Sequence, residues 1–160
     1  METLIFHVPG KPQSKARHRS FARAGKICNY TPAQTEQYEN WIKLCYQGAH
    51  GTARLVPPIE MSITAYFSVP KSYSKKKAAL CRENVLRPTC KPDMDNIAKA
   101  VADALNGIAY HDDSGVSELH VSKQYGEREG LVVRLVGNLE EGQDAGEKTA
   151  DAVHPLKKRE

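Results

Sequence analysis

The chain predicts an α+β domain, a small mixed sheet of about four strands with helices packed on one side of it. Three observations carry this expectation. Met61, Ile63, Ala65, Phe67 and Val69 alternate with Ser62, Thr64, Tyr66 and Ser68, the period-two pattern of a strand with one buried face. Ile97, Val101, Ala104, Leu105 and Ile108 recur at three- and four-residue steps, the pattern of an amphipathic helix. Strand-like and helix-like segments are interspersed along the chain with no internal repeat, which suits a layered mixed domain rather than a solenoid.

Taken in order, residues 4–8 read as a short strand, and a basic loop runs on to about residue 29. Thr31, Pro32 and Gln34 read as a capping box with proline at the first helical position. The helix they open has Tyr38, Trp41, Ile42, Cys45, Tyr46 and Ala49 on its apolar face, a stripe expected in the core rather than as a platform for stacked bases. The strand of 61–69 ends at Pro70, and a basic helix is expected over about 74–83. The amphipathic helix then begins at Asn96 with Asp95 as its N-cap, and Asn106-Gly107 supplies the stop. After a turn at HDDSG, Leu119, Val121 and Tyr125 alternate toward Gly126, and residues 131–136 form the return arm of an expected hairpin. Beyond Gly137 apolar periodicity is lost and Glu, Gly, Asp and Lys dominate, the composition of a disordered tail. At 160 residues and 40% hydrophobic content the chain can bury one core, so one domain (1–137) and a tail (138–160) are expected.

Composition excludes several classes. No apolar run approaches the ~18 residues of a membrane span, and 4–8 is too short for a signal-peptide core, so a soluble, cytoplasmic protein is expected. Cys28, Cys45, Cys81 and Cys90 show neither C-x-x-C spacing nor pairing with histidines, which reads as reduced thiols rather than a zinc site. The net charge of +4 hides a more basic body, because residues 138–160 hold six acidic and four basic residues. Lys11, Lys15, Arg17, Arg19, Arg23 and Lys26 fall within sixteen residues free of carboxylates, and Lys71, Lys75, Lys76 and Lys77 form a second cluster. Forked guanidiniums in a loop suit phosphate oxygens, whereas the second cluster reads equally well as a solvated helix face.

The chemistry is concentrated in residues 91–118, KPDMDNIAKAVADALNGIAYHDDSGVSE. In an extended segment Asp93 and Asp95 point the same way and can close on one hard cation, Mg²⁺ or, as a substitute, Mn²⁺. Asp95, Lys99 and Asp103 follow at i, i+4 and i+8, one polar stripe opposite the apolar one. Asp112 and Asp113 lie in the HDDSG turn, from which the chain can return toward the helix start. Each piece alone has a plain reading: a D-x-D among 19 acidic residues is usually a solvated pair, Lys99 a helix lysine, and Asp112-Asp113 simple turn chemistry. Their order is what lifts them above it. His111 is expected to serve the turn rather than bind the cation, since hard oxygen ligation does not call for it.

This string resembles the RusA family of Holliday-junction resolvases, the crossover junction endodeoxyribonucleases, whose signature is a D-x-D-N opening a helix with a downstream D-D-S. The likeness extends to PGKPQSKARHR at 9–19 and NYTPAQTEQYENW at 29–41, and covers roughly residues 3–136. It implies metal ligation by Asp93, Asp95 and Asp113 with Asp112 beside them, and an essential catalytic lysine in Lys99, which either helps deprotonate the attacking water or stabilises charge on the phosphate. The basic segment, Lys11, Lys15, Arg17, Arg19 and Arg23, with Lys91, is then the DNA-binding surface. The implied protein is a Mg²⁺-dependent, structure-specific endodeoxyribonuclease of bacterial or phage origin, acting in DNA recombination and repair. A four-way junction has two-fold symmetry and paired symmetric nicks need two sites, so a C₂ homodimer is implied, one site facing each of two opposed strands. Gly115 departs from the family pattern, where a longer polar residue is common.

Other classes fit less well. A nucleotide-sugar transferase needs more chain, and an aspartyl-phosphate phosphatase needs D-x-D after a buried strand, where this chain has LRPTCK. The P-D…(D/E)-x-K nucleases place their lysine two residues on along a strand, whereas Lys99 lies four past Asp95 on a helix. A non-catalytic DNA-binding module, or a nuclease for other branched DNA, remains the alternative. The former leaves four carboxylates repelling phosphate with no cation between.

Overall fold

The computed structural model of the chain describes residues 1–15, 19–30 and 32–142, with the backbone alone for residues 19, 21 and 28–30. In chain order the elements are β1 (Glu2–Pro9), β2 (Arg19–Arg23), β3 (Lys26–Tyr30), α1 (Ala33–His50), β4 (Leu55–Phe67), α2 (Lys75–Arg82), α3 (Met94–Leu105), a 3-10 turn (Asp113–Gly115), β5 (Val116–Tyr125) and β6 (Gly130–Leu139).

The expected α+β architecture is present: a four-stranded mixed sheet in the order β1-β6-β4-β5, with α1 and α3 on one face. The alternation in β4 places Leu55, Ile59, Met61, Ile63, Ala65 and Phe67 inward, all nearly inaccessible. Leu131, Val133 and Leu135 of β6 and Phe6 and Val8 of β1 continue that inner face. Tyr38, Ile42 and Tyr46 of α1 and Ile97, Val101, Ala104 and Leu105 of α3 close over it, each fully buried aliphatic chain stabilising the fold by roughly 1.5–3 kcal/mol. β4 begins earlier than its alternating stretch suggests. Pro57 and Pro58 have no N–H to donate, and the pairing with β6 is interrupted between Val56 and Glu60 accordingly.

Several local expectations are corrected. β5 and β6 do not form a hairpin: β5 pairs in parallel with β4, while β6 lies antiparallel between β1 and β4. The short link after β5 therefore crosses the end of β4, where the Gly126 N–H donates to the Phe67 carbonyl at 2.9 Å. The basic segment is not all loop, since β2 and β3 pair through a two-residue turn at Ala24-Gly25, both at positive φ. Pro32 is the N-cap of α1, not its first residue, and Thr31 lies outside the described residues. Trp41 is 42% exposed rather than buried, its indole N–H donating to the Pro9 carbonyl at 2.8 Å. Ser74, expected as the first residue of the basic helix, is instead the N-cap of α2 and accepts from the Lys77 N–H. β6 runs through Leu139 and Glu140 pairs with His111 at 2.7 Å, so 138–140 belong to the domain; 143–160 lie outside the described residues. Cys45, Cys81 and Cys90 are free thiols. Among the described residues no helix is long and apolar enough to cross a membrane.

Candidate active site

α3 carries the densest chemistry because its two faces do different work. Ile97, Ala98, Val101, Ala104 and Leu105 are at most 8% exposed, and this burial fixes the helix against the sheet. Asp95 and Lys99 lie on the opposite, exposed face. The helix starts two residues before the expected position: Asp93, not Asp95, is its N-cap, and Asp95 sits in the first turn, so the pair does not lie on one extended segment. An N-cap aspartate ordinarily accepts an N–H of the first turn, worth about 1 kcal/mol. Asp93 makes no such bond. Among the described residues no side-chain donor or cation engages the carboxylates of Asp93, Asp95 or Asp113. The N-terminal end of α3 further favours negative charge.

Lys99 is 64% exposed along its side chain and stands 3.8 Å from Asp103, a loose i, i+4 pair. Asp103 also accepts from Lys15, which lies 3.2 Å from Glu39 as well. Burial disfavours the Lys15 charge, but the hydrogen bonds to Asp103 and Glu39 outweigh it and hold its pKa above the usual lysine value. Lys15 thus ties the basic segment to α1 and α3, and its ammonium is committed to those carboxylates.

The second acidic pair sits at the far end of the helix. Asn106, the C-cap of α3, accepts the Asp113 backbone N–H at 3.0 Å, after Gly107 turns the chain at φ 73°. Tyr110 is buried beneath this turn and donates to the Ala102 carbonyl at 2.8 Å. Its pKa is pushed up by burial and then by the nearby charges of Asp113, Asp103 and Asp112. Asp112 is engaged by the Ser114 hydroxyl and backbone N–H, which with Asn106 hold its pKa below the usual carboxylate value. His111 reaches Glu140, itself 3.8 Å from Arg54, and so serves the scaffold.

Thirteen helical rises put Asn106 about 20 Å from Asp93 along the axis, and Asp113 is held at the Asn106 end. The expected return of the chain to the helix start does not occur. β5 runs antiparallel to α3, and only its far part approaches the α3 N-terminus, where Lys123 donates to the Pro92 carbonyl at 2.9 Å. Asp93 and Asp95 are brought together at one end and Asp112 and Asp113 at the other. Among the described residues no three His, Cys, Asp or Glu side chains are gathered closely enough to hold one ion. The donor chemistry nevertheless suits a hard divalent cation, since Asp93, Asp95 and Asp113 offer uncommitted carboxylate oxygens.

At Pro92, the residue before Asp93, opens a cleft of about 400 Å³ lined also by Lys11, Gln13, Ser14, Thr35 and Lys91. It brings two of the expected DNA-contacting lysines to the same end of α3 as the D-x-D pair. Arg23 is exposed on β2, while Arg17 and the side chain of Arg19 lie outside the described residues. Lys71, Lys75, Lys76 and Lys77 are exposed around α2, with Lys77 over the Tyr73 ring at 3.8 Å. Gly115 lies against Pro57, whose Cγ would stand 2.7 Å from any added Cβ, which accounts for the absence of a side chain there. Sequence reasoning did not single out Lys123 or the role of Asn106. Only the Asn-Gly stop marked Asn106, and nothing local marked Lys123.

Comparison with known proteins gives two findings. Residues 9–136 match the model of the family described as Endodeoxyribonuclease RusA. The chain is also 36% identical over 137 residues to the uncharacterized protein YqaN of Bacillus subtilis (strain 168), covering 84% of this chain and 96% of that one.

Proposed function

The chain belongs to the RusA family of endodeoxyribonucleases, and from that premise we propose that it is a Mg²⁺-dependent resolvase that cuts four-way DNA junctions by paired symmetric nicks. The observation that carries this reading is the uncommitted Asp93–Asp95 pair, on the end of a helix whose other face is core, beside a cleft lined by Lys11 and Lys91. Phosphate oxygens suit such lysines, and the carboxylates suit a cation that would offset their repulsion toward DNA.

Asp93 and Asp95 would hold Mg²⁺, with Mn²⁺ as a substitute. Bound there, the ion supplies an activated water and offsets charge on the scissile phosphate. Lys99, exposed one turn past Asp95, presents ammonium donors to that phosphate, and Lys11 and Lys91 seat the flanking backbone. Asp113 lies too far from Asp93 to act with it inside one chain. We therefore assign it to the site of a second copy: in a C₂ homodimer, Asp93 and Asp95 of one protomer and Asp113 of its partner make each of two sites. Two such sites match the two-fold symmetry of the junction.

The test incubates purified protein with labelled four-way junctions and with linear duplex, with and without Mg²⁺, and resolves the strands on a denaturing gel. Symmetric, Mg²⁺-dependent nicks confined to the junction are expected; binding without cleavage by folded protein would leave a DNA-binding module. Asp93→Asn and Asp113→Asn are each expected to be inactive, whereas mixed and reassociated they should recover single nicks, because one of the two shared sites is then intact. No recovery in verified heterodimers would return Asp113 to another role.

A further inference from the structure

We propose that Lys123 is a positioning residue for Asp93, a role that rests on the reading of Asp93 as a ligand. Lys123 lies on β5, opposite Ala65 of β4, and its ammonium donates to the carbonyls of both Cys90 and Pro92, the latter at 2.9 Å. These two carbonyls flank Lys91 and immediately precede Asp93. Among the described residues no carboxylate pairs with Lys123; its remaining neighbour is the Phe67 ring, with Nζ 5.5 Å from the ring centroid. An ammonium offers three donors and no acceptor, so it can hold two carbonyls at once.

Asp93 needs such a hold from its backbone because, among the described residues, its side chain has none. It caps α3 without a capping hydrogen bond, and on its C-terminal side it is tied by its carbonyl, which accepts the Ile97 N–H at 3.1 Å. On its N-terminal side the tie is the Pro92 carbonyl on Lys123. The carboxylate thus stays unengaged while the residue bearing it is anchored from both directions. The same clamp directs Lys91 into the cleft shared with Lys11. Lys123 sits on β5, the edge strand of the sheet, paired with the buried β4, so the rigidity of the core is transmitted to a segment that has no regular structure of its own.

The experiment compares full-length wild type with Lys123→Met, which keeps the stem and removes the donors, and Lys123→Arg, which keeps charge and donors. Two readouts are taken: hydrogen exchange of the 97–99 amides, the first that α3 pairs within itself, in metal-free protein, and Mn²⁺ affinity without DNA. In Lys123→Met, exchange at 97–99 is expected to rise while β4 and β6 amides stay protected, and Mn²⁺ affinity to fall by about tenfold or more, with Lys123→Arg recovering most of both. Unchanged exchange, or raised exchange with unchanged Mn²⁺ affinity, overturns the proposal. Should Lys123→Met not fold, Lys123→Arg with wild-type exchange but Mn²⁺ affinity as weak as an Asp93→Asn control would also overturn it. Wild-type protein that takes up no Mn²⁺ would instead remove the metal reading itself, a result distinct from any behaviour of the variants.

Discussion

The two faces of α3 are built on opposite principles. On the inner face Ile97, Val101, Ala104 and Leu105 are packed to exclusion of water, and every side chain is satisfied by its neighbours. On the outer face Asp93 forgoes its capping bond and, among the described residues, Asp95 is unpaired and Lys99 is held only by a loose contact with Asp103. The difference teaches where this domain keeps stability and where it keeps chemistry. A rigid apolar face fixes the helix, so the polar face can carry groups that contribute little to folding and stay available to a substrate.

Substitutions on the two faces of α3 should separate stability from catalysis. Asp93→Asn is expected to reduce junction cleavage by about 10³-fold or more, the loss of several kcal/mol of transition-state stabilisation. Because asparagine also suits an N-cap, its thermal unfolding should shift by no more than about 0.5 kcal/mol. A large loss of stability together with the loss of cleavage would mean that the outer face is structural after all. Leu105→Ala should behave in the opposite sense, losing about 2–5 kcal/mol in denaturant unfolding, while the fraction that remains folded cleaves at the wild-type rate.

Two smaller effects sharpen the picture. Gly115→Ala forces a Cβ against Pro57 and should cost about 1–3 kcal/mol, a loss that shrinks when Pro57 is also made alanine. An additive double substitution would show that the contact does not limit this turn. The core face also predicts an alkaline limit. Burial pushes the phenols of Tyr38 and Tyr46 up to about 12. The unfolded chain ionises its tyrosines near pH 10, so this stability is fully present below about pH 10 and is lost as pH rises through about 12. Melting temperatures should hold from pH 8 to about 10 and then decline. Tyr46→Phe should make that decline shallower while costing about 1 kcal/mol at neutral pH, because the Ala53 carbonyl loses its donor. A decline of unchanged slope in that variant would assign the alkaline limit elsewhere.

Much of the fold was legible because it depends on local periodicity. The alternation of 61–67 and the three- and four-residue steps from Ile97 to Leu105 are properties of a strand and a helix that need no distant partner. The order D-x-D-N, helix, D-D was legible as a family signature for the same reason. What was misread depends on long-range choices. Two strands joined by a short turn suggest a hairpin, yet β5 is too evenly half-exposed to occupy the middle of a sheet, whereas β6 buries every second residue and does. The N-cap slipped from Asp95 to Asp93 because either aspartate satisfies the local rule, and the packing of Ile97 and Ala98 decides which turn begins the helix.

By itself, then, the sequence determined the apolar stripes, the break at Asn106-Gly107, and the set of carboxylates and lysines available for chemistry. Tertiary structure alone decided their distances. Thirteen helical rises put Asp113 at the opposite end of α3 from Asp93, and a strand pairing 58 residues away in sequence brings Lys123 to the Pro92 carbonyl. The physical reason is that periodicity records which side of an element faces the core, while the separation between two elements is set by how their buried faces pack together. No single segment contains that information.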